Sequence, residues 1–511
     1  MLDIFLTVEH RAFPFLAGVR RSIHISRKPV TLLSRSARNT SNMANSSEAH
    51  EAQSQQSLQT QILPIDATKL GTFTDHTPSA ASSLPLEDWT LELNSSPDAE
   101  RLRAAADALR TSAIPVAFPT ETVYGLGADA TRSDAVKGIY AAKQRPSDNP
   151  LIVHISSIKQ LRSLYPSSTT DPIPEIYHSL IRRFWPGPLT IILPVPDPSP
   201  LAKEVTSALP TFGARMPRNL LALALIKTAD RPIAAPSANA STKPSPTAAE
   251  HVLHDLNGRI ETILDGGPCD VGVESTVVDG LCSPPAVLRP GGISIAQLRQ
   301  IRGWEGVVKG YADTSAKGGA PRAPGMKYRH YSPRARVVLF EAWTPAPSVE
   351  DLASEGRRVG LVRTRTWSMV QTKKVEKHEE GGESRAGRRV YGSLDQEDPA
   401  ESRVGSLTKM TKGQSPLDVL LKETNTVAKQ QMRRFSIPAD DWGMGGVQFW
   451  DVKLGPDTAG IARGLFSTLR ELDRKDVDVI YVEGIDDSKE GDDVAAAVMN
   501  RLRKAAEVRV S

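Results

Sequence analysis

Cysteine is nearly absent. Only Cys269 and Cys282 occur in 511 residues, which excludes a disulfide-framed fold and a zinc site with four cysteine ligands. A reducing compartment is the simpler expectation. Long apolar runs are missing too: none reaches the ~18 residues that a membrane-spanning helix needs, so a soluble protein with no membrane partner is expected. Aromatics make up 5% and hydrophobic residues 39% of the chain, which predicts that part of it stays outside any core. Charge of one sign is also lacking. Lys+Arg 63 against Asp+Glu 59 gives a net charge of +4, too balanced for a dedicated polyanion binder, although local basic clusters remain open. No GxxxxGK[ST] phosphate loop, HExxH motif or GxSxG nucleophile elbow occurs, and Gly125-Leu126-Gly127 is only a fragment of a GxGxxG turn.

The length allows roughly three domains or fewer. Between Glu9 and Glu48 there is no acidic residue, while Arg11, Arg20, Arg21, Arg27, Lys28, Arg35 and Arg38 alternate with Phe13, Phe15, Leu16 and Val19. Residues 1–42 therefore read as an organellar transit segment or a basic tail. Met43 offers a second start that would remove them, so a cytoplasmic protein with a mitochondrial form is expected. Residues 43–90, rich in Ser, Gln, Thr and Ala, read as disordered and polar. From about residue 97 the pattern changes. Leu102, Ala105, Ala106 and Leu109 recur at helical spacing, and helices are also predicted over 133–143 and 174–183. Short β-branched runs at 114–118, 151–155, 189–194, 231–236, 262–265 and 275–279 predict strands. This alternation indicates an α/β domain ending near residue 303. Residues 304–335 read as a connector. A second α/β unit follows, with strands at 336–340, 358–363 and 478–482 and helices at 415–435 and 457–474. The polar stretch 371–412 reads as a disordered surface insertion.

Five clusters could carry chemistry. Pro119-Thr120-Glu121-Thr122-Val123-Tyr124-Gly125 follows a strand, where ligands of open α/β sheets bind, or where a polar turn would sit. Lys143 and Arg145 close a helix and lead into Pro146, with Asn149 and the strand residue His154 beyond. A compact ammonium beside a planar guanidinium suits phosphate oxygens, and it also suits a helix C-terminus. Thr211 and Arg215 form the third cluster, and Arg215 could fork onto a carboxylate. The fourth runs from Ala235 through Ser237, Asn239, Ser241, Thr242, Lys243 and Ser245 to a helix at Ala248, with more short donors than a helix cap requires. The fifth comprises Asp265-Gly266-Gly267, Glu274-Ser275-Thr276 and Leu288-Arg289-Pro290-Gly291.

In this order, the clusters resemble the Sua5/YrdC/YciO family in its long, Sua5 form. The resemblance continues through Pro324-Gly325-Met326-Lys327-Tyr328-Arg329-His330-Tyr331-Ser332-Pro333 and Asn500-Arg501-Leu502-Arg503-Lys504-Ala505-Ala506. It departs at Thr242, where the family usually has Gly. The resemblance implies a YrdC-like twisted open α/β domain over 97–303, a linker and lid over 304–335 and a smaller Rossmann-like α/β Sua5 domain over 336–508. It also implies a nucleotidyltransferase that condenses L-threonine, bicarbonate and ATP to threonylcarbamoyl-adenylate and pyrophosphate. The product would pass to a tRNA threonylcarbamoyl transferase complex, and weak double-stranded RNA or tRNA binding is a further implied property. Thr122, His154, Arg215, Ala235 and Ser275 would hold threonine. Arg145, Asn149, Thr211, Ser237, Asn239, Ser245, Arg289 and Tyr331 would hold ATP, Lys143 and Arg145 would be catalytic, and Mg²⁺ would accompany the nucleotide. Lys327, Tyr328, His330 and Tyr331 would form the lid. The alternatives are a non-catalytic RNA-binding, translation-associated module and a carbamoyl transferase of the hydrogenase-maturation type. The latter also needs zinc-finger cysteines that this chain lacks.

Overall fold

A computed structural model describes residues 58–80, 82–166, 168–311, 331–348, 351–352, 356–368, 415–422, 432–437, 446–488 and 493–511. The expected transit segment, lid residues Lys327, Tyr328 and His330, and the 371–412 insertion lie outside the described residues.

The first sheet has eleven strands. In chain order the sheet-forming segments begin with β1 (Gln61–Pro64), the hairpin β2 (Gly71–Asp75) and β3 (Trp89–Leu93), then β4 (Val116–Phe118), β5 (Gly125–Asp129), β6 (Ile152–His154) and β7 (Leu189–Pro194). There follow β8 (Thr211–Arg215), β9 (Ile233–Ala234), β10 (Thr262–Asp265), β11 (Thr276–Asp279), β12 (Ala286–Arg289) and β13 (Val308–Lys309). The sheet order is β1-β10-β4-β5-β9-β6-β8-β7-β11-β12-β13, with β2 and β3 forming their own antiparallel pair. Parallel and antiparallel neighbours are mixed: β6 runs parallel to β8 but antiparallel to β9. Gly127 permits a tight fit at the centre, because a Cβ there would lie 2.7 Å from the Phe118 ring and 2.8 Å from Ile233.

The second sheet is simpler. Its strands are β14 (Arg336–Phe340), β15 (Arg358–Arg363), β16 (Met432–Ile437), β17 (Val447–Lys453), β18 (Val479–Glu483) and β19 (Val508–Val510), in the order β16-β17-β15-β18-β14-β19. All neighbours are parallel except the edge strand β16. The helices Thr458–Arg474 and Asp493–Ala505 pack Ile461, Leu465, Leu469, Val498 and Leu502 into its core.

These helices also seat the second unit on the first. Arg470 is buried and bonds Asp255 at 2.8 and 3.2 Å. Its guanidinium holds the Asp255 carboxyl down to about 2 in spite of burial. Gly272, at φ +75°, lets the backbones touch, since a Cβ there would meet the Arg463 Cα at 2.4 Å.

Three expectations are corrected. Residues 58–90 are not a disordered tract: β1 pairs with β10, and Leu70, Leu84, Leu86 and Trp89 are fully buried. The segment misleads because β2 and β3 turn only alternate residues inward, most of them half-buried, leaving a polar composition around a few anchors. The helix expected over 415–435 is described only as Pro416–Lys422. Residues 432–437 are instead an edge strand whose pairing with β17 overrides helical spacing. The strand expected over 231–236 shrinks to Ile233–Ala234 because Pro232 and Pro236 cannot donate to a ladder.

Candidate active site

A cavity of about 280 Å³ lies over one face of the first sheet. Ile152 and His154 both line it, while Val153 between them points into the core, the alternation expected of a strand. Among the described residues, Lys143, Arg145, Arg215, Lys243 and Arg289 contribute basic side chains to it, against the single carboxylate of Glu274. The lining brings together every residue expected for threonine: Thr122, His154, Arg215, Ala235 and Ser275. Of the residues expected for ATP, Arg145, Asn149, Ser237, Asn239, Ser245, Arg289 and Tyr331 line it as well. Thr211 does not. It begins β8, four residues before Arg215 and about 13 Å away at strand rise.

The strand-borne half is deeply buried and rigidly bonded. Thr120 Oγ1 donates to the Val123 carbonyl at 2.7 Å and lies 2.8 Å from Thr122 Oγ1, turning the chain after β4. His154 and Arg215 are register partners on β6 and β8. Burial, then the nearby Arg215 charge, pulls the His154 pKa down to about 3, so its imidazole is neutral at physiological pH. Arg215 Nη2 stands 2.8 Å from Glu121 Oε1, an ion pair without good hydrogen-bond angles, and its Nε donates to the Gly187 carbonyl at 3.3 Å. Arg289 donates from Nε and Nη2 to the Ser275 carbonyl at 3.0 and 2.9 Å, and from Nη2 to Ser275 Oγ at 3.0 Å. Burial lowers its pKa to about 10, which leaves it charged.

The other half is carried by loops. The helix Ser133–Lys143 ends at Gln144 in the left-handed conformation, φ 52°, and this turn sends its neighbours in different directions. Lys143 is fully buried. Its ammonium donates to the Ser237 carbonyl, to the Asn239 carbonyl at 2.6 Å and to Asn239 Oδ1 at 3.4 Å. Lys143 thus ties down the Ser237–Asn239 loop, with its pKa pushed well down by burial. Arg145 Nη2 reaches the Asn149 and Pro150 carbonyls at 3.4 and 3.3 Å. Thr242, at φ +75°, adopts the left-handed turn that a glycine would take without strain. The loop therefore makes at a β-branched residue a turn that favours glycine. Its carbonyl accepts from Ser332 N at 2.9 Å, next to Tyr331, which also has positive φ (69°) and stacks on Phe466 at 5.2 Å.

Several lining residues lacked a role in the sequence reading: Thr120, Ser241, Lys243 and Glu274. Lys243 sits inside the donor-rich loop, and Glu274 directly precedes Ser275, so proximity to the motifs was their signal. For Mg²⁺ the donor set fits poorly. Among the described residues no group of three His, Cys, Asp or Glu side chains could hold a metal, and Glu121 and Glu274 are each paired with an arginine. A cation arriving with ATP would be carried by its phosphates.

The comparisons place the chain in a family. Residues 108–291 match the Sua5, YciO and YrdC family model described as "Telomere recombination", and residues 293–507 match the model of the threonylcarbamoyl-AMP synthase C-terminal domain. The chain is 40% identical to a threonylcarbamoyl-AMP synthase of Schizosaccharomyces pombe over 88% of its own length and 98% of the relative's. It is 52% identical to a Bacillus subtilis enzyme of that name over 52% of its own length and 74% of the relative's. The crystal structure of P. abyssi Sua5 complexed with L-threonine superposes with a TM-score of 0.56 at 36% identity, covering 80% of this chain and 96% of that one. The chain belongs to the Sua5/YrdC/YciO family in its long Sua5 form, and it is an enzyme of the threonylcarbamoyl-AMP synthase type that uses ATP.

Proposed function

We propose that this cavity condenses L-threonine and bicarbonate with ATP, holding threonine on its strand-borne half and the triphosphate between its loop-borne half and Arg289 at the end of β12. The supporting observation is the gathering of Arg145, Arg215, Lys243 and Arg289 against Glu274 among the described residues of a single cavity, together with the relative solved with L-threonine. Arg215 offers its fork to the amino-acid carboxylate, with Glu121 fixing the guanidinium from behind. Ser275, Thr122 and the small Ala235 frame the rest of threonine. Arg145 and Arg289 face the phosphates with Ser237, Asn239, Ser245 and Asn149, and Tyr331 closes that side. Lys143 acts through the loop it anchors.

The threonine amine loses a proton and attacks bicarbonate, forming a carbamate and releasing water. A carbamate oxygen then attacks the α-phosphorus, the bond to the bridging oxygen breaks, and pyrophosphate leaves. Charge shifts onto the departing oxygens, where prepositioned guanidinium groups stabilise it, and alignment of the reactants supplies much of the remaining acceleration. His154 is a poor base for the first step. Its conjugate acid, at about 3, lies about five units below an ordinary α-ammonium, so deprotonation assisted by bicarbonate suits this site better. Carbamates decompose in water, and a walled cavity slows that loss.

Downstream, the adenylate would be consumed by a tRNA threonylcarbamoyl transferase, with the enzyme cytoplasmic and a mitochondrial form directed by residues 1–42. Near-full-length similarity to synthases favours catalysis over a purely RNA-binding role. The test is pyrophosphate release from ATP. It should require both L-threonine and bicarbonate, and release that ignores threonine would overturn the assignment.

A further inference from the structure

Glu274 is out of place in a cavity that collects anions. It lines the cavity, it is buried, and its charge would repel a triphosphate. The second unit supplies the answer. Arg501, from the helix Asp493–Ala505, is 1% exposed and places Nε 3.1 Å from Glu274 Oε2, across 227 residues of chain. Its Nη1 donates to the Pro290 carbonyl at 2.6 Å, next to Arg289, and its guanidinium packs on the Tyr331 ring at 5.8 Å. Ser245 donates to the other oxygen, Glu274 Oε1. One carboxylate thus joins a guanidinium of the second unit to a serine of the phosphate side. Burial favours the neutral acid, but the charges of Arg501 and Arg289 and the Ser245 bond outweigh it and hold the Glu274 pKa below its ordinary value. The carboxylate is ionised, and its charge must be balanced.

We propose that Arg501 is a positioning residue for the ATP subsite: reaching across the unit boundary, it neutralises Glu274 and orients it toward Ser245, so that triphosphate affinity depends on the C-terminal unit being seated. This rests on the assignment of the phosphates to the Ser245–Arg289 side. Removing one partner of a buried pair leaves the other charge uncompensated, here inside the binding cavity. A mere clamp between units would act differently, since its loss would weaken both substrates together.

The experiment is calorimetric titration of the full-length protein with ATP and, separately, with L-threonine, alongside thermal melts. Arg501→Ala should weaken ATP binding by about tenfold or more while changing threonine binding by less than about twofold. Arg501→Lys, which keeps the charge, should retain most of the ATP affinity. The decisive variant is the double change R501A/E274Q, which removes the stranded charge and should bring ATP binding back to within about threefold of the parent. Unchanged ATP affinity in Arg501→Ala, equal loss for both ligands, or no recovery in the double variant would each overturn the inference. Arg145→Ala and Arg289→Ala serve as references. If neither weakens ATP binding, the phosphate assignment itself fails; if both do and Arg501→Ala does not, only the role of Arg501 fails.

Discussion

The two halves of the cavity are built differently. On the strand-borne half, His154, Arg215, Ser275 and Arg289 sit on or beside β6, β8, β11 and β12, each buried and each tied to neighbouring backbone or side chains. On the loop-borne half, Arg145, Ser237 and Lys243 are only partly buried, and the loop between Ser237 and Ser245 is held by the buried Lys143 ammonium together with bonds to Asp255, Ser332 and Glu274. Sheet strands fix side chains with little freedom and suit a small amino acid of one shape. Loops whose side chains are partly exposed accommodate a long, flexible triphosphate. The contrast predicts that changes to the strand half cost stability as well as activity, whereas changes to the partly exposed Arg145 and Ser237 of the loop half cost activity alone.

The largest effect is expected at Arg215. Arg215→Ala strands the buried Glu121 carboxylate, so it should lower stability by about 3 kcal/mol and reduce turnover at least about a hundredfold, read from thermal melts and threonine-dependent pyrophosphate release. A stable, inactive variant would break the contrast. Arg145→Ala should reduce turnover by about a hundredfold, mainly through weaker ATP binding, with the melting midpoint unchanged. A lower midpoint would place Arg145 with the structural half.

Acid should act through the buried histidines. His154 and His251 both have folded pKa values of about 3 against an ordinary 6.5. The folded protein keeps them neutral while the unfolded chain takes up protons. Their stabilising effect is therefore complete above 6.5 and is lost steadily as pH falls from there toward 3, at about 1.4 kcal/mol per pH unit for each histidine. Melts at pH 7.5 and 5.5 should show this loss, and His251→Gln should remove about half of it. The smallest effect belongs to Thr242, whose positive φ costs a β-branched residue about 1 kcal/mol. Thr242→Gly should raise the melting midpoint slightly and leave activity intact. A fall would mean that the side chain repays the strain.

Legibility from sequence follows the same physical divide. β14, β15 and the helix Ser133–Lys143 are read to the residue because burial and periodicity coincide there. β5 escapes notice because Gly125 and Gly127 read as a turn, although they allow β5 to pack against Phe118. β8 is hidden the same way by its short, mixed TFGAR segment. The motifs locate the cavity well because each lies in short local stretches. Local sequence cannot report what happens across the fold: that Lys143 would bond loop carbonyls ninety-odd positions away, or that Arg501 would meet Glu274. Thr211 shows the reverse: it is close to Arg215 in sequence, yet it begins the same strand four residues away and does not line the cavity.

The most direct measurement is mass analysis of the product formed by the purified full-length protein from ATP, L-threonine and ¹³C-bicarbonate. The account predicts threonylcarbamoyl-adenylate carrying the label, formed with one pyrophosphate per molecule. Pyrophosphate without a labelled adenylate, or an adenylate lacking the label, would contradict it.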